Sequence, residues 1–288
     1  MRRTSTASRL RTRFSVVTDR LAELVETLPV CRLPQGGGLV FTGPDLYFGE
    51  RSADQQASQL GLKREYETIS ELLRLLVSGG HKQLLSGFED ADKRFRDWLD
   101  LDRSWSVTQN NAENANAVRT AAEPLERILD VLDAVGRDDV IVVPETNSLL
   151  ANPDPVAYRG IAGQNDFVFM LLPTVLGELD KLKIEHRNPD VREKARKVID
   201  RLKGWRKQGA LVDGVTVDKT IKVKAASREP DLNKTLSWLD ASINDDRIIA
   251  SVLALQAESP SAHVVLVSGD INLLNKADVA MIETAELP

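Results

Sequence analysis

Several residue types and patterns are scarce or missing, and each gap removes a class. There is one cysteine, Cys31, in 288 residues, so no intramolecular disulfide can form, which fits a reducing, cytoplasmic setting. A lone cysteine is more readily a small buried apolar residue than a nucleophile. No apolar run reaches the roughly 18 residues a membrane-spanning helix needs, so no membrane partner is expected. The N-terminal arginines (Arg2, Arg3, Arg9, Arg11, Arg13) are followed by no apolar stretch of secretory type. Leu10, Phe14, Val17, Leu21, Leu24, Val25 and Leu28 recur there at helical spacing instead, with a transit peptide as the lesser alternative. The histidines, His81, His186 and His263, show no metal-ligand spacing. The Gly36-Gly37-Gly38 run lacks the Lys-Ser/Thr of a phosphate loop and follows no clear strand, so nucleotide binding there is not expected. Overall positive charge is absent too. A net charge of −5 argues against a uniformly basic coat for nucleic acid while leaving room for a local basic face.

What is present is enough apolar sequence, 42%, for a buried core, and a length above one average domain. Residues 1–136 read as a mainly helical domain without a recognisable functional motif. Helices are expected over about 8–28, around Leu62, Tyr66, Ile69, Leu72, Leu73 and Leu76 with a stop at Gly79-Gly80, and around Leu84, Leu85 and Phe88, continuing after a break to Phe95, Trp98 and Leu99. The Gly/Pro-rich segment 34–44 reads as loop, and the polar run 109–114 as linker or exposed loop. Pro124 is placed at the start of the last helix, whose face is Leu125, Ile128, Leu129 and Leu132. From 137 to 288 the pattern changes. Short β-branched runs, 140–143, 211–217, 220–223, 264–268 and 279–284, and an apolar segment at 167–172, alternate with helices near 174–184, 189–207 and 246–257. That alternation predicts an α/β domain with a central parallel sheet.

Four segments of this half each deliver a carboxylate beside apolar sequence: Val-Ile-Val-Val-Pro-Glu-Thr-Asn (140–147), Leu-Pro-Thr-Val-Leu-Gly-Glu-Leu-Asp (172–180), Asn-Asp-Asp-Arg-Ile-Ile-Ala (244–250) and Val-Val-Leu-Val-Ser-Gly-Asp (264–270). Open α/β sheets build their sites at the C-terminal ends of parallel strands. Carboxylates gathered there repel one another unless a cation joins them, and hard cations such as Mg²⁺ are held by a few carboxylates plus substrate phosphates. Each acid also has a simpler role: Glu145 exposed after a strand, Glu178 half-buried and bonded to backbone, Asp246 a helix cap, Asp270 a turn residue.

On these residues, 139–284 resembles a PIN domain of the larger bacterial and eukaryotic type. The matching features are the signature at 172–183, the strand ending Glu145-Thr146-Asn147, Asp246 before an Ile-rich helix, and the Ser268-Gly269-Asp270 turn, in the family's order. The resemblance implies a Rossmann-like fold and Mg²⁺- or Mn²⁺-dependent cleavage of single-stranded RNA, with DNA left open. It implies metal-facing acids at Glu145, Glu178, Asp246 and Asp270, with Asn147 orienting Glu145 or a phosphate and Asp245 as rival to Asp246. The chain departs from the family at its first acid, normally Asp and here Glu145. A catalytically degenerate RNA- or protein-binding module is therefore the alternative. A phosphatase of the aspartyl-phosphate type would want two Asp spaced by one after the first strand, where Glu145-Thr146-Asn147 stands instead.

The segment 181–207 is locally basic, and Lys183, Arg187, Arg192 and Arg196 are its candidate phosphate contacts. The simpler reading is a solvated helix with Val191, Ala195, Val198 and Leu202 inward. Trp98, Trp105 and Trp238 are expected in packing, with Trp205, amid cations, the one candidate for base stacking. A homo-oligomer and an antitoxin or regulatory partner are left open.

Overall fold

The structure is a computed structural model and describes residues 4–32, 46–78, 82–101, 107–134 and 139–287. The segment 34–44, Gly79, Gly80, His81 and Trp105 lie outside the described residues. The chain divides into two compact units, residues 7–134 on one hand and 135–288 with 1–6 on the other.

The first unit contains helices α1 (Thr6–Glu26), α2 (Ala53–Ser78), α3 (Lys82–Asp100) and α4 (Asn111–Ala134) with a short antiparallel pair, β1 (Val30–Arg32) and β2 (Leu46–Phe48). Phe14, Tyr66 and Phe95 meet in its core, with ring centroids 5.0 Å apart for Phe14–Phe95 and 4.7 Å for Tyr66–Phe95. Beside them the buried Asp92 accepts hydrogen bonds from Tyr66 Oη (2.8 Å), Ser70 Oγ (2.6 Å) and Arg96 Nε (2.8 Å). Trp98 is buried, with its ring 6.5 Å from Phe48.

Four expectations for this half are corrected. The polar run 109–114 is loop only to Asn110 and helix from Asn111, because Asn110 caps: its Oδ1 accepts from Ala112 N at 3.0 Å, while Asn114 Oδ1 inside the helix accepts from Thr108 N at 2.7 Å. Pro124 lies inside α4 rather than at its start, where it removes one intrahelical bond while Val118, Ala122 and Leu125 bury the surrounding face. The break expected in α3 is absent. Cys31 is half-buried on β1, not buried.

The second unit is α/β. Its six strands are β3 (Val140–Pro144), β4 (Phe167–Leu171), β5 (Val215–Val217), β6 (Ile221–Ala225), β7 (His263–Val267) and β8 (Glu283–Ala285), in the order β5-β6-β4-β3-β7-β8. All pairings are parallel except β5 with β6. Every residue of β3 and β7 is buried, as strands covered on both faces require. Helices α5 (Thr146–Ala151), α6 (Arg159–Ala162), α7 (Pro173–Glu185), α8 (Pro189–Arg206), α9 (Asn244–Glu258) and α10 (Ile271–Val279) connect the strands. The last strand is shorter and later than 279–284, because Val279 ends α10. Of the expected 211–217 strand only Val215–Val217 forms, after a turn closed by Gly214 at φ 98°. No described helix is long and apolar enough to cross a membrane.

Topology makes the site. From β3 the chain steps to β4 and β6 on one side, and returns through α9 to β7 on the other. Adjacent strands whose connections leave in opposite directions open a crevice at their C-terminal ends. In register, Pro144 pairs with Val267, so Glu145 and the Ser268–Asp270 turn leave the sheet side by side.

Candidate active site

Four acids from four segments line one cleft of about 320 Å³, together with Thr146, Asn147, Lys181, Leu182, Ile248 and Leu273. The acids are Glu145, Glu178, Asp245 and Asp270.

Glu145 follows β3 directly and caps α5. Its N–H donates to Val267 O at 3.0 Å, prolonging the sheet, and its carboxylate accepts from Asn147 N at 2.8 Å and Ser148 N at 3.3 Å. It is not the exposed post-strand residue of the simpler reading: it is 5% exposed. Burial raises its pKa above the usual Glu value, the two backbone N–H groups oppose that rise, and the charges of Glu178 and Asp270 add to it. The carboxylates therefore feel one another across the cleft.

Asp270 caps α10, with Oδ1 accepting from Asn272 N at 2.8 Å and Leu273 N at 3.4 Å. Its own N–H donates to the buried Ser268 Oγ at 2.9 Å, which fixes the turn. Glu178 lies on α7, whose first helical position is Pro173. Its Oε1 accepts from Asn244 Nδ2 at 2.6 Å and its Oε2 from the Thr146 hydroxyl. Its partners are thus side chains, not the backbone groups of the simpler reading. Asn147 is exposed on the cleft wall and gives Glu145 a backbone N–H.

Of the two candidates for the third acid, Asp245 lines the cleft and Asp246 does not. Asp246 is 3% exposed, with Oδ2 accepting from Asp240 N at 2.9 Å and Oδ1 from Lys276 Nζ at 2.6 Å. Successive residues of a helix point about 100° apart, so once Asp246 turns to Lys276 the cleft side falls to Asp245, which keeps a longer contact of 3.5 Å to the same lysine. Lys276 has a raised pKa: burial lowers it, and the hydrogen bond and charge of Asp246, with Asp245, outweigh burial.

None of the four expected basic residues lines the cleft, and Lys181 does instead. Lys183 pairs with Asp180, and the Arg192 guanidinium donates to the carbonyls of His186 and Arg187 beyond the end of α7. Both are thereby engaged within the fold. Arg187 and Arg196 are exposed. Trp205 is buried in phase with Ala195, Val198 and Leu202 on α8, with Arg201 over its ring at 5.7 Å, so it presents no free stacking face. Trp238, expected in packing, is 40% exposed.

Sequence reasoning missed Asn244, Arg247 and Glu229. Arg247 Nε donates to Glu229 Oε2 at 2.9 Å, its Nη2 to Glu229 Oε1, and its Nη1 to Asn244 Oδ1 at 3.2 Å. Asn244 and Arg247 flank the Asp pair in one motif, which was a signal for them. Glu229 sits in an irregular segment, and nothing in its surroundings announced it. It also lines a separate cavity of about 680 Å³ that contains none of the cleft acids.

Among the described residues no group of three or more His, Cys, Asp or Glu forms a ready-made cation cage. Mg²⁺ does not need one, because it takes one or two carboxylates and completes its shell with water and substrate phosphate. The cleft offers hard oxygen donors, and a bound cation would offset both the burial that raises the Glu145 pKa and the smaller repulsion from Glu178 and Asp270. The donor set fits such an ion.

A switch-point cleft walled by carboxylates, in a doubly wound α/β unit, defines a class of site made for charged ligands. The comparison with known families narrows it: the PIN domain model matches residues 142–287, about half of the chain. The chain belongs to the PIN domain family, a nuclease-type family whose members typically use divalent metals. No curated protein matches the chain.

Proposed function

We propose that the chain is a metal-dependent endoribonuclease acting on single-stranded RNA. The observation that carries this reading is the convergence of Glu145, Glu178, Asp245 and Asp270, from four separate segments, on one cleft. When bound, Mg²⁺ or Mn²⁺ supplies Lewis acidity and a more acidic water. Glu145, Glu178, Asp245 and Asp270 are the acids from which one or two would hold the cation. Asn147 offers an amide to a phosphate oxygen or to Glu145. Lys181 on the wall, with Arg187 and Arg196 exposed farther along, attracts the phosphate backbone. Asp246 serves the fold through Lys276 and Asp240 and does not face the cation.

Labelled single-stranded RNA and DNA are to be incubated with the chain in Mn²⁺, Mg²⁺ or EDTA, beside Asp245→Asn and Asp270→Asn. Metal-dependent cutting of RNA that both substitutions abolish supports the reading. Cutting that survives both refutes the site.

A second reading rests on Glu145. Its two carboxylate oxygens already accept from α5, which leaves the longer side chain folded onto its own helix. A catalytically degenerate module that binds RNA or protein follows from that. Calorimetric Mn²⁺ titration separates the two, since a degenerate cleft takes up no stoichiometric metal.

A further inference from the structure

We infer that Asn244 and Arg247 are positioning residues that hold the Glu178 carboxylate toward the cleft; this rests on the nuclease reading and deepens it. The basis is a closed ring of side chains that begins and ends on α7. Thr174 Oγ1 donates to Glu229 Oε1 at 2.8 Å. Glu229 takes the Arg247 guanidinium in a two-point grip, with Nε to Oε2 at 2.9 Å. Arg247 Nη1 donates to Asn244 Oδ1 at 3.2 Å. Asn244 Nδ2 donates to Glu178 Oε1 at 2.6 Å, and Glu178 lies one turn after Thr174 on the same helix.

Each link determines the direction of the next. An asparagine amide has a donor end and an acceptor end of similar shape, and only its partners decide which faces where. Arg247 has no acceptor, so it takes the Asn244 oxygen and turns the NH₂ group to Glu178. Glu229 in turn fixes the plane of Arg247, because a carboxylate matches two guanidinium N–H groups at once. The Thr146 hydroxyl secures the other oxygen of Glu178. Neither Asn244 nor Arg247 is among the residues lining the cleft, and Asn244 meets it through Glu178. Side chains that orient a metal-facing carboxylate in this way typically change metal affinity or activity about 10–100-fold when removed.

The plain structural alternative is that the ring only fastens the segment 226–243 to α9. The two are separated by a double-mutant cycle on the full chain, with Mn²⁺ affinity read by calorimetry, RNA cleavage resolved into kcat and KM, and thermal unfolding recorded in parallel. Asn244→Ala is expected to weaken Mn²⁺ binding by about 10-fold or more and to lower kcat more than it raises KM. Glu178→Gln weakens binding too, and adding Asn244→Ala to it brings no further loss, because Asn244 acts through Glu178. Arg247→Lys keeps the charge but cannot serve Glu229 and Asn244 together. It is expected to fall between wild type and Asn244→Ala, and it carries the test if Asn244→Ala does not fold. Additive losses in the double variant, or Mn²⁺ affinity in Asn244→Ala equal to that of wild type, overturn the positioning role while leaving the nuclease reading standing. A wild-type chain that takes up no Mn²⁺ refutes the nuclease reading, and this inference with it.

Discussion

Replacing Asp245 and Asp246 one at a time separates a functional acid from a structural one in the same dipeptide. Asp246 is buried, and its side chain holds two partners, Lys276 Nζ at 2.6 Å and Asp240 N at 2.9 Å. A hydrogen bond to a charged group contributes about 1.5–3 kcal/mol, and a stranded donor adds the cost of its lost partner. Lys276 is 28% exposed and keeps Asp245 at 3.5 Å, so water and the neighbour offset part of the loss. Asp246→Ala is therefore expected to cost about 3 kcal/mol. Asp246→Asn retains an acceptor for Asp240 N and is expected to cost about 1–2 kcal/mol. Asp245, 33% exposed with one long contact, falls among pairs that contribute about 0–1 kcal/mol. In a unit of this size each kcal/mol moves Tm by about 2–4 °C. The assay is thermal and urea unfolding in EDTA, paired with Mn²⁺-dependent RNA cleavage. The effects should cross: Asp245→Asn keeps stability and loses cleavage, while Asp246→Asn loses stability and, at a temperature where it is folded, keeps most cleavage. Abolished cleavage in a well-folded Asp246→Asn, beside an active Asp245→Asn, would refute the assignment of the cleft side to Asp245.

Three further outcomes are expected. In EDTA, the Tm of Glu145→Gln minus that of wild type should increase as pH rises. The folded pKa of Glu145 lies above the ordinary 4.5, so its favourable contribution is complete below that value and is lost as pH rises through the folded one; a difference that stays constant or decreases towards neutral pH contradicts the burial and repulsion inferred for the cleft. Saturating Mn²⁺ at about 100 times its Kd should stabilise the wild-type chain by about 2.7 kcal/mol, seen as a higher Tm that Asp270→Asn diminishes; a Tm indifferent to Mn²⁺ speaks for the degenerate module. In the helical unit, Asp92→Ala leaves Tyr66, Ser70 and Arg96 without their shared acceptor and should cost about 3 kcal/mol or more, whereas unchanged urea unfolding would show that the network adds nothing to stability.

The α/β class of the second half was legible in the sequence, because strands buried on both faces must be apolar throughout, as 140–143 and 264–267 are. Glu145, Glu178 and Asp270, which the family resemblance implied as one set, do line one cleft. The helical half was readable only in outline. An asparagine that looks like linker, Asn110, becomes a cap when an amphipathic face follows it, and Pro124 at a helix interior contradicts local preference that tertiary burial overrides. Sequence by itself determined which acids are near the sheet's C-terminal edge. It could not decide between Asp245 and Asp246, because adjacent residues at a helix start have the same local prospects. Only the tertiary structure gives them different surroundings, by bringing the N–H of Asp240 and the shorter contact of Lys276 to Asp246. The ring through Glu229, Arg247 and Asn244 is tertiary for the same reason: apart from the local Arg247–Asn244 bond, its links join residues 18 to 66 positions apart, and no local pattern encodes which of them will meet.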